Sequence, residues 1–231
     1  TTNATHSGEV TGSGALTIAD NVVDEANLKV SNSAVNGYML SAQSGNTGGL
    51  TWVEAGGGDY VKLYHSDISG AASYTFNLFN SSIYANYKVY IDKFTTGSNG
   101  SQLKMRFRNS SGDVTNSDYE WQYLQNYFDG SNSSVSALTS MNGEFVPINN
   151  GLTSTNNVGT AILEITGIVP VSTVSRPTVH WTSLGWGDTT SIRRFYTAAC
   201  QLNRTVANCS GFTLYSDQNF VDNVSIYGVK K

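Results

Sequence analysis

The residues best suited to binding chemistry lie in one stretch toward the C-terminal end, His180–Tyr196. Within it, two tryptophans are followed closely by an acid and a pair of arginines. Aromatic rings stack on the apolar face of a sugar, while carboxylate and guanidinium groups bond its hydroxyls or charged substituents. The stretch therefore predicts a ligand-binding surface for saccharides. Its candidate residues are Trp186, Asp188, Arg193, Arg194 and Tyr196.

Several aromatic residues also have a packing interpretation. Trp181 stands in a strand-like segment and is expected in the core, because large aromatic side chains are mostly buried. Trp186 stands between two glycines, so for this residue both roles remain open. A second cluster, Tyr119, Trp121 and Tyr123, would share one face of a strand, and we expect that face to be the inner side of a sheet.

A row of cations, Lys104, Arg106 and Arg108, alternates with apolar residues along one segment. Such a row can meet phosphate or sulfate groups of a polysaccharide. It is more often the solvated side of a strand, where lysine also discourages edge pairing. We expect the solvated face.

No residue pattern indicates catalysis or metal binding. The three histidines, His6, His65 and His180, stand in no recognisable motif, and there is no glycine-rich phosphate loop or calcium loop. We therefore predict no enzyme activity, no catalytic residue, no metal and no cofactor. Cys200 and Cys209 lack the partners of a zinc site, and a short disulfide and two free thiols are equally open for them.

Charge and hydropathy exclude two classes of partner. The net charge is −4, and only 13% of residues are charged, against about 25% in ordinary globular domains. No broad basic surface is available to neutralise phosphates, so nucleic acid is not expected as a partner. No apolar run approaches about 18 residues, so membrane insertion is not expected either.

Short alternating segments dominate the larger part of the chain, and at least eight strands are expected there. Leu103–Arg108 alternates apolar and basic residues, and Tyr87–Phe94 places valine and isoleucine on one face. The polar, glycine-containing stretch Thr95–Ser101 between them predicts a hairpin loop. The fold expected for residues 59–231 is an antiparallel two-sheet β-sandwich, jelly-roll-like. Further expected strands are Val61–Tyr64, Ala72–Phe76, Thr160–Ile165, Thr178–Trp181, Phe212–Tyr215 and Asn223–Val229.

A run of three glycines at 56–58 predicts a linker, because glycine contributes no packing side chain and loses the most entropy when ordered. The preceding residues 1–55 have too few apolar side chains to form a stable core alone. We expect several copies to bury these side chains against one another around a common axis, as a trimerising stalk. The expected oligomerisation residues are Leu16, Ile18, Val23, Leu28, Leu40 and Trp52.

Three segments resemble sequence motifs of bacteriophage tail fibres and related virion fibres. Asn3–Gly12 followed by Leu16–Asp20 resembles a motif that precedes the terminal domains of such proteins. Gly37–Trp52 resembles a companion motif, and the ending Asn223–Lys231, with its Ile-Tyr-Gly-Val, is similar to the "LYGI" ending of phage C-terminal sandwich domains. The resemblance covers the first 55 residues well and the C-terminal domain loosely.

This resemblance implies an all-β homotrimer on the virion surface, attached to other virion proteins through its N-terminal end. The function expected from it is a fibre or decoration subunit that displays its sandwich for attachment to the host surface, most naturally to a polysaccharide. The alternative is a purely structural head fibre or capsid ornament without a specific ligand, and a polysaccharide depolymerase ranks third. We also expect that the sequence is part of a longer chain, since Thr1 is not an initiator residue.

Overall fold

In the computed structural model the chain is all-β, and its described part contains no α-helix. The chain divides into two compact units, Thr1–Gly58 and Asp59–Lys231. Over the positions described, no helix has the length and apolar character needed to span a membrane. The structure describes residues 10–11, 17–18, 20, 27–46, 48–54, 58–96, 101–115, 117–152, 159–168, 176–186, 193–203 and 209–231.

The N-terminal unit is built from two short antiparallel pairs. Its strands are β1 (Val10–Thr11), which pairs with β2 (Thr17–Ile18), and β3 (Tyr38–Ala42), which pairs with β4 (Leu50–Glu54). The side chain of Asn32 extends this pairing beside β4. Its Oδ1 accepts the Trp52 N–H at 2.7 Å, and its Nδ2 donates to the Trp52 carbonyl at 2.8 Å. The amide thus replaces one residue of a neighbouring strand.

The expected oligomerisation residues are largely open in the single chain. Ile18 is 55% exposed and Leu40 is 38% exposed, while Leu28 and Trp52 are half-buried. Leu16 and Val23 lie outside the described residues. The N-terminal unit therefore leaves apolar surface available for other contacts.

The second unit contains one curled antiparallel sheet. Its strands are β5 (Tyr60–Phe76), β6 (Tyr84–Thr96), β7 (Ser101–Asn109), β8 (Gly112–Asp113), β9 (Tyr119–Phe128), β10 (Ser133–Gly143), β11 (Val146–Leu152), β12 (Gly159–Thr166), β13 (Thr178–Trp186), β14 (Arg193–Leu202) and β15 (Gly211–Lys230). They neighbour one another in the order β10, β9, β14, β13, β12, β6, β15, β7, β11, with β5 beside β15 and β8 beside β7.

Two of the expected strands form one long strand, β15, whose pairing is irregular. Between Tyr215 and Phe220 its register against β5 shifts, so that residues 216–219 stand opposite Ala72 alone. A bulge of this kind bends a strand and increases its twist. The curl brings β11 back against β13, where Ser183 Oγ donates to the Ile148 carbonyl at 2.7 Å. Four strands separate β11 from β13 in the sheet order.

The expected hairpin between β6 and β7 is wrong. Over the described residues these strands do not pair with each other, and both lie along β15 instead. β7 pairs with its first part, Gly211–Tyr215, and β6 pairs with the part from Phe220 to Lys230. Strands that follow each other in the chain with a polar loop between them usually pair. Here each of the two strands pairs with β15 instead. The expected segments Val61–Tyr64 and Ala72–Phe76 likewise form the single strand β5.

The alternation seen in the sequence corresponds to an inward and an outward side. Leu103, Met105 and Phe107 of β7 are at most 1% exposed, and Leu163 and Ile165 of β12 are fully buried. Each such side chain contributes about 1.5–3 kcal/mol through its removal from water. The expected inward face of β7 is therefore confirmed.

Buried tyrosines satisfy backbone groups inside this core. The Tyr119 hydroxyl donates to the Val114 carbonyl at 3.0 Å and accepts the Phe107 N–H at 2.9 Å. Burial raises the pKa of this hydroxyl well above its ordinary value. Tyr123 and Trp181 are 3% and 2% exposed, so the packing interpretation of both residues is confirmed.

Candidate functional site

The outer face of the sheet, defined as the side of β9, β14, β13 and β12 that points away from the core, carries unusual apolar surface. Leu124 is 48% exposed, and Ile162 and Phe195 are each 44% exposed. The strand registers align Leu124 with Thr197, Thr182 and Ile162 across four strands. Exposed apolar positions concentrated on one face mark binding surfaces more often than scattered ones do.

A groove of about 660 Å³ lies at one end of this outer face, and we call it the hairpin groove. Its walls are the outward side chains at the ends of β9 and β14 and the turn between β9 and β10. This volume falls in the range of about 300–1,000 Å³ that is typical of small-molecule sites. The lining residues are Phe128, Gly130, Ser131, Asn132, Ser133, Arg193 and Phe195.

Two exposed phenylalanine rings and an arginine dominate the hairpin groove. Phe128 and Phe195 stand edge to face, with their ring centroids 6.0 Å apart and an interplanar angle of 88°. Phe128 has two direct cross-strand neighbours, Arg193 on β14 and Ser133 on β10. Arg193 is the one charged residue among the lining residues that the structure describes. Rings for stacking thus adjoin a guanidinium that binds oxyanions or hydroxyls.

The turn of the hairpin groove is held by Asp129. Its Oδ1 accepts the N–H of Asn132 at 2.6 Å and the N–H of Ser131 at 3.0 Å. These hydrogen bonds, that of Asn132 first, lower the pKa of this exposed carboxyl below its ordinary value. Gly130 adopts φ = 88°, a conformation that favours glycine. The hydroxyl and amide side chains of the turn are therefore presented on a fixed backbone.

The structure divides the five predicted ligand residues. Arg193 faces outward in the groove, whereas Arg194 and Tyr196 alternate to the opposite face of β14. Tyr196 is 3% exposed and packs against Tyr123, with ring centroids 5.5 Å apart, so it serves the core. The Arg194 guanidinium lies 5.9 Å from the centre of the Tyr127 ring.

Two of the five predicted residues lie partly or fully outside the part of the chain that the structure describes. The backbone of Trp186 pairs with Arg193, which places this residue at the groove end of β13, but its side chain lies outside the described part. Asp188 lies outside it entirely. Sequence reasoning missed Phe128, Phe195 and the turn Asp129–Asn132. The dipeptide Asp129-Gly130, a strong turn signal between alternating segments, was the available indication.

The basic row on β7 is occupied by protein partners. Lys104 Nζ lies 2.7 Å from Asp217 Oδ1, and Arg108 pairs with Asp113. The Arg106 guanidinium stands 4.7 Å from the centre of the Tyr215 ring. These contacts engage the cations within the fold. Their side chains are only 12%, 23% and 22% exposed, so the expected solvated face is not what the structure shows.

The remaining reactive groups lie in the core. Cys200 and Cys209 are both buried free thiols, and burial raises their pKa, that of Cys209 to about 12. At neutral pH they are therefore poor nucleophiles. Over the residues that the structure describes, no three His, Cys, Asp or Glu side chains are grouped to hold a metal ion.

Comparisons of the chain with protein-family descriptions, with curated proteins and with solved structures find no match.

Proposed function

We propose that this chain is a bacteriophage virion protein, a fibre or decoration subunit, that attaches to a host-surface polysaccharide. In this proposal the N-terminal residues 1–55 form a trimerising stalk that meets other virion proteins. The curled sheet of residues 59–231 acts as the two layers of a jelly-roll-like sandwich, which is displayed at the virion surface. The resemblance of Asn3–Gly12 and Gly37–Trp52 to sequence motifs of phage fibres supports the proposal of a virion protein.

The observation that carries the attachment role is the hairpin groove. Phe128 and Phe195 are 40% and 44% exposed, although aromatic side chains of this size are ordinarily buried. Their rings stand beside Arg193 and beside a turn rich in hydroxyl and amide groups. Saccharides need this combination, because each sugar has apolar C–H faces and a rim of hydroxyls.

The experiment is a binding screen of the full chain on an array of bacterial surface polysaccharides. We expect reproducible binding to one polysaccharide class. Phe195→Ala and Arg193→Ala should each weaken this binding about tenfold or more, since a stacked ring or a charge-assisted hydrogen bond contributes about 1–3 kcal/mol.

The chain offers matched controls for both substitutions. Ile83 is 47% exposed in the turn before β6 and is not part of the hairpin groove, so Ile83→Ala removes a similarly exposed apolar side chain away from the groove. Arg176 is exposed just before β13, at the end opposite to the Trp186–Arg193 pair, so Arg176→Ala removes an equal charge. Both controls should bind like the unmodified chain.

Three outcomes would contradict parts of the proposal. Equal losses in variants and controls would remove the groove from the site. The absence of binding to every polysaccharide would favour the purely structural head fibre or capsid ornament. Shortened polysaccharide chains after incubation would favour the depolymerase, which gel filtration of the incubated polysaccharide detects.

A further inference from the structure

A second groove lies on the sheet at β5, β15 and β6, and we call it the tyrosine groove. Its volume is about 540 Å³, again within the range of about 300–1,000 Å³ for small-molecule sites. The strand registers explain its composition, because Tyr90 stands opposite Ser225 and Lys88 stands opposite Tyr227. The lining residues are Tyr60, Lys88, Tyr90, Asp92, Ser225 and Tyr227.

The three tyrosines offer ring surface in a fixed arrangement. Tyr90 and Tyr227 stand edge to face, with centroids 5.7 Å apart and an interplanar angle of 87°. Tyr60 is 51% exposed, and the Lys88 ammonium lies 5.4 Å from the centre of its ring. Two partly buried rings that brace each other lose little entropy on binding, and the open ring of Tyr60 supplies a stacking surface.

The polar groups of the tyrosine groove are positioned by neighbours outside it. Lys88 Nζ lies 2.8 Å from Glu164 Oε1 of β12, and this hydrogen bond raises the lysine pKa above its ordinary value. Ser225 Oγ lies 2.9 Å from His65 Nδ1. A hydroxyl and an ammonium are thus held at defined places around the rings, as a polyhydroxylated ligand requires.

The charge of the tyrosine groove separates it from the hairpin groove. Glu164 neutralises the ammonium of Lys88, and Asp92 adds a negative charge to the lining. An anionic sugar would meet the Asp92 carboxylate without a net positive partner. In the hairpin groove the one charged side chain among the described lining residues is Arg193, and the Asp129 carboxylate bonds the backbone of the turn. The tyrosine groove is therefore suited to a neutral sugar with apolar C–H faces.

We propose that the tyrosine groove is a second saccharide site, which takes neutral hexose units. This inference rests on the proposed attachment function and deepens it, because two sites of different charge would bind different sugars of one surface polysaccharide. Two weak sites on each subunit would raise the overall avidity of attachment, since the second contact becomes intramolecular after the first.

The test is saturation-transfer difference NMR on the full chain with four neutral tetrasaccharides: maltotetraose, cellotetraose, mannotetraose and galactotetraose. We expect a transfer signal from at least one of them. Tyr60→Ala should weaken its binding about tenfold, the equivalent of one lost stacking contact. Tyr38→Ala is the matched control, because Tyr38 is an exposed tyrosine of the N-terminal unit, and it should leave the signal unchanged.

A second variant tests the charge argument. Glu164→Gln leaves Lys88 without its carboxylate partner, so we expect it to gain binding of tetragalacturonate, which the unmodified chain should not bind. Tetragalacturonate binding to the unmodified chain that matches the neutral sugars, or no signal from all four neutral tetrasaccharides at millimolar concentration, would overturn the inference.

The inference and the proposed function fail separately. Phe195→Ala and Arg193→Ala should leave the tetrasaccharide signal intact, because these residues line the other groove. If polysaccharide binding depends on the hairpin groove and none of the tetrasaccharides gives a transfer signal, only the tyrosine site is overturned. A tetrasaccharide signal that Phe195→Ala removes and Tyr60→Ala does not would also overturn it.

Discussion

The N-terminal and C-terminal units of this chain bury their apolar residues to very different extents. In the N-terminal unit Val35, Met39 and Ile18 are each more than half exposed. In the C-terminal unit Phe107 and Leu163 are completely buried. Both units use antiparallel pairing, so secondary structure alone does not separate them.

Paired strands alone do not make a stable unit, and a buried apolar core is needed as well. Backbone hydrogen bonds contribute only about 0.5–1.5 kcal/mol each after the loss of water, and two-stranded ribbons are marginal by themselves. In the proposed stalk, other copies of the chain would supply the N-terminal unit with further apolar contacts. The C-terminal unit, with its continuous core, is expected to fold without them.

The largest effect should follow from deletion of residues 1–55. Because the exposed apolar surface of the N-terminal unit is expected to hold the copies together, the truncated chain should keep its fold and lose its self-association. Analytical ultracentrifugation should show a trimer for the full chain and mainly a monomer for residues 56–231. A truncated chain that remains a tight trimer would place the assembly contacts in the C-terminal unit.

A matched pair of leucines compares the two units directly. Leu163→Ala empties a fully buried position of β12 and should lower the free energy of unfolding by about 2–5 kcal/mol. Leu40→Ala changes a 38% exposed position of β3, so in dilute, dissociated protein it should cost less than about 0.5 kcal/mol. Urea unfolding at two protein concentrations measures both. A growing cost of Leu40→Ala in the concentrated sample would locate Leu40 between copies, and equal costs throughout would remove the contrast.

Within the well-packed unit, Asp222 is expected to oppose stability as the pH rises. It is 1% exposed, and burial raises its pKa to about 8, with a smaller contribution from Asp92. The folded state therefore holds a proton that the unfolded state releases near pH 4. The contribution of Asp222 to stability should therefore be greatest below that pH and should be lost between about pH 4 and pH 8.

Asp222→Asn tests this expectation, because the amide is neutral at every pH. Thermal unfolding of the variant should lack this downward slope, and above pH 8 the variant should be more stable by about 1–3 kcal/mol. Asp59→Asn is the control, since Asp59 is an exposed aspartate of the same unit. The same slope in Asp222→Asn and in the unmodified chain would assign it to another group.

The smallest effect is expected from a reductant. Cys200 and Cys209 are free thiols, so the C-terminal unit owes its stability to packing and not to a cross-link. The midpoint of thermal unfolding should be the same with and without dithiothreitol. A drop of several degrees in dithiothreitol would reveal a disulfide and change the account of this unit.

The candidate site was only partly predictable from the sequence. The stretch His180–Tyr196 includes Arg193, which the structure places in the groove, but strand alternation sends Arg194 and Tyr196 to the opposite face. The partners of Arg193 in the groove come from β9 and from the turn after it, more than 60 positions earlier in the chain. Spacing along the chain carries no record of which distant strand lies beside β14.

The tyrosine groove had no counterpart in the sequence at all. Tyr60, Tyr90 and Tyr227 belong to three strands that are far apart in the chain and are joined only by the pairing of β15 with β5 and β6. Each tyrosine alone is an ordinary member of an alternating strand. Their common position depends on register, and register is a property of the assembled sheet.

The sequence by itself determined the class of the fold and the inward side of its strands. Alternation with a period of two residues is local. The buried face of Leu103, Met105 and Phe107 could therefore be predicted without knowing which strands lie beside them. Tertiary structure decided which strands pair: the expected β6–β7 hairpin gave way to β15, which lies beside both strands and β5. Pairing depends on contacts between residues distant in the chain and on bulges such as that at 216–219, and neither leaves a local pattern.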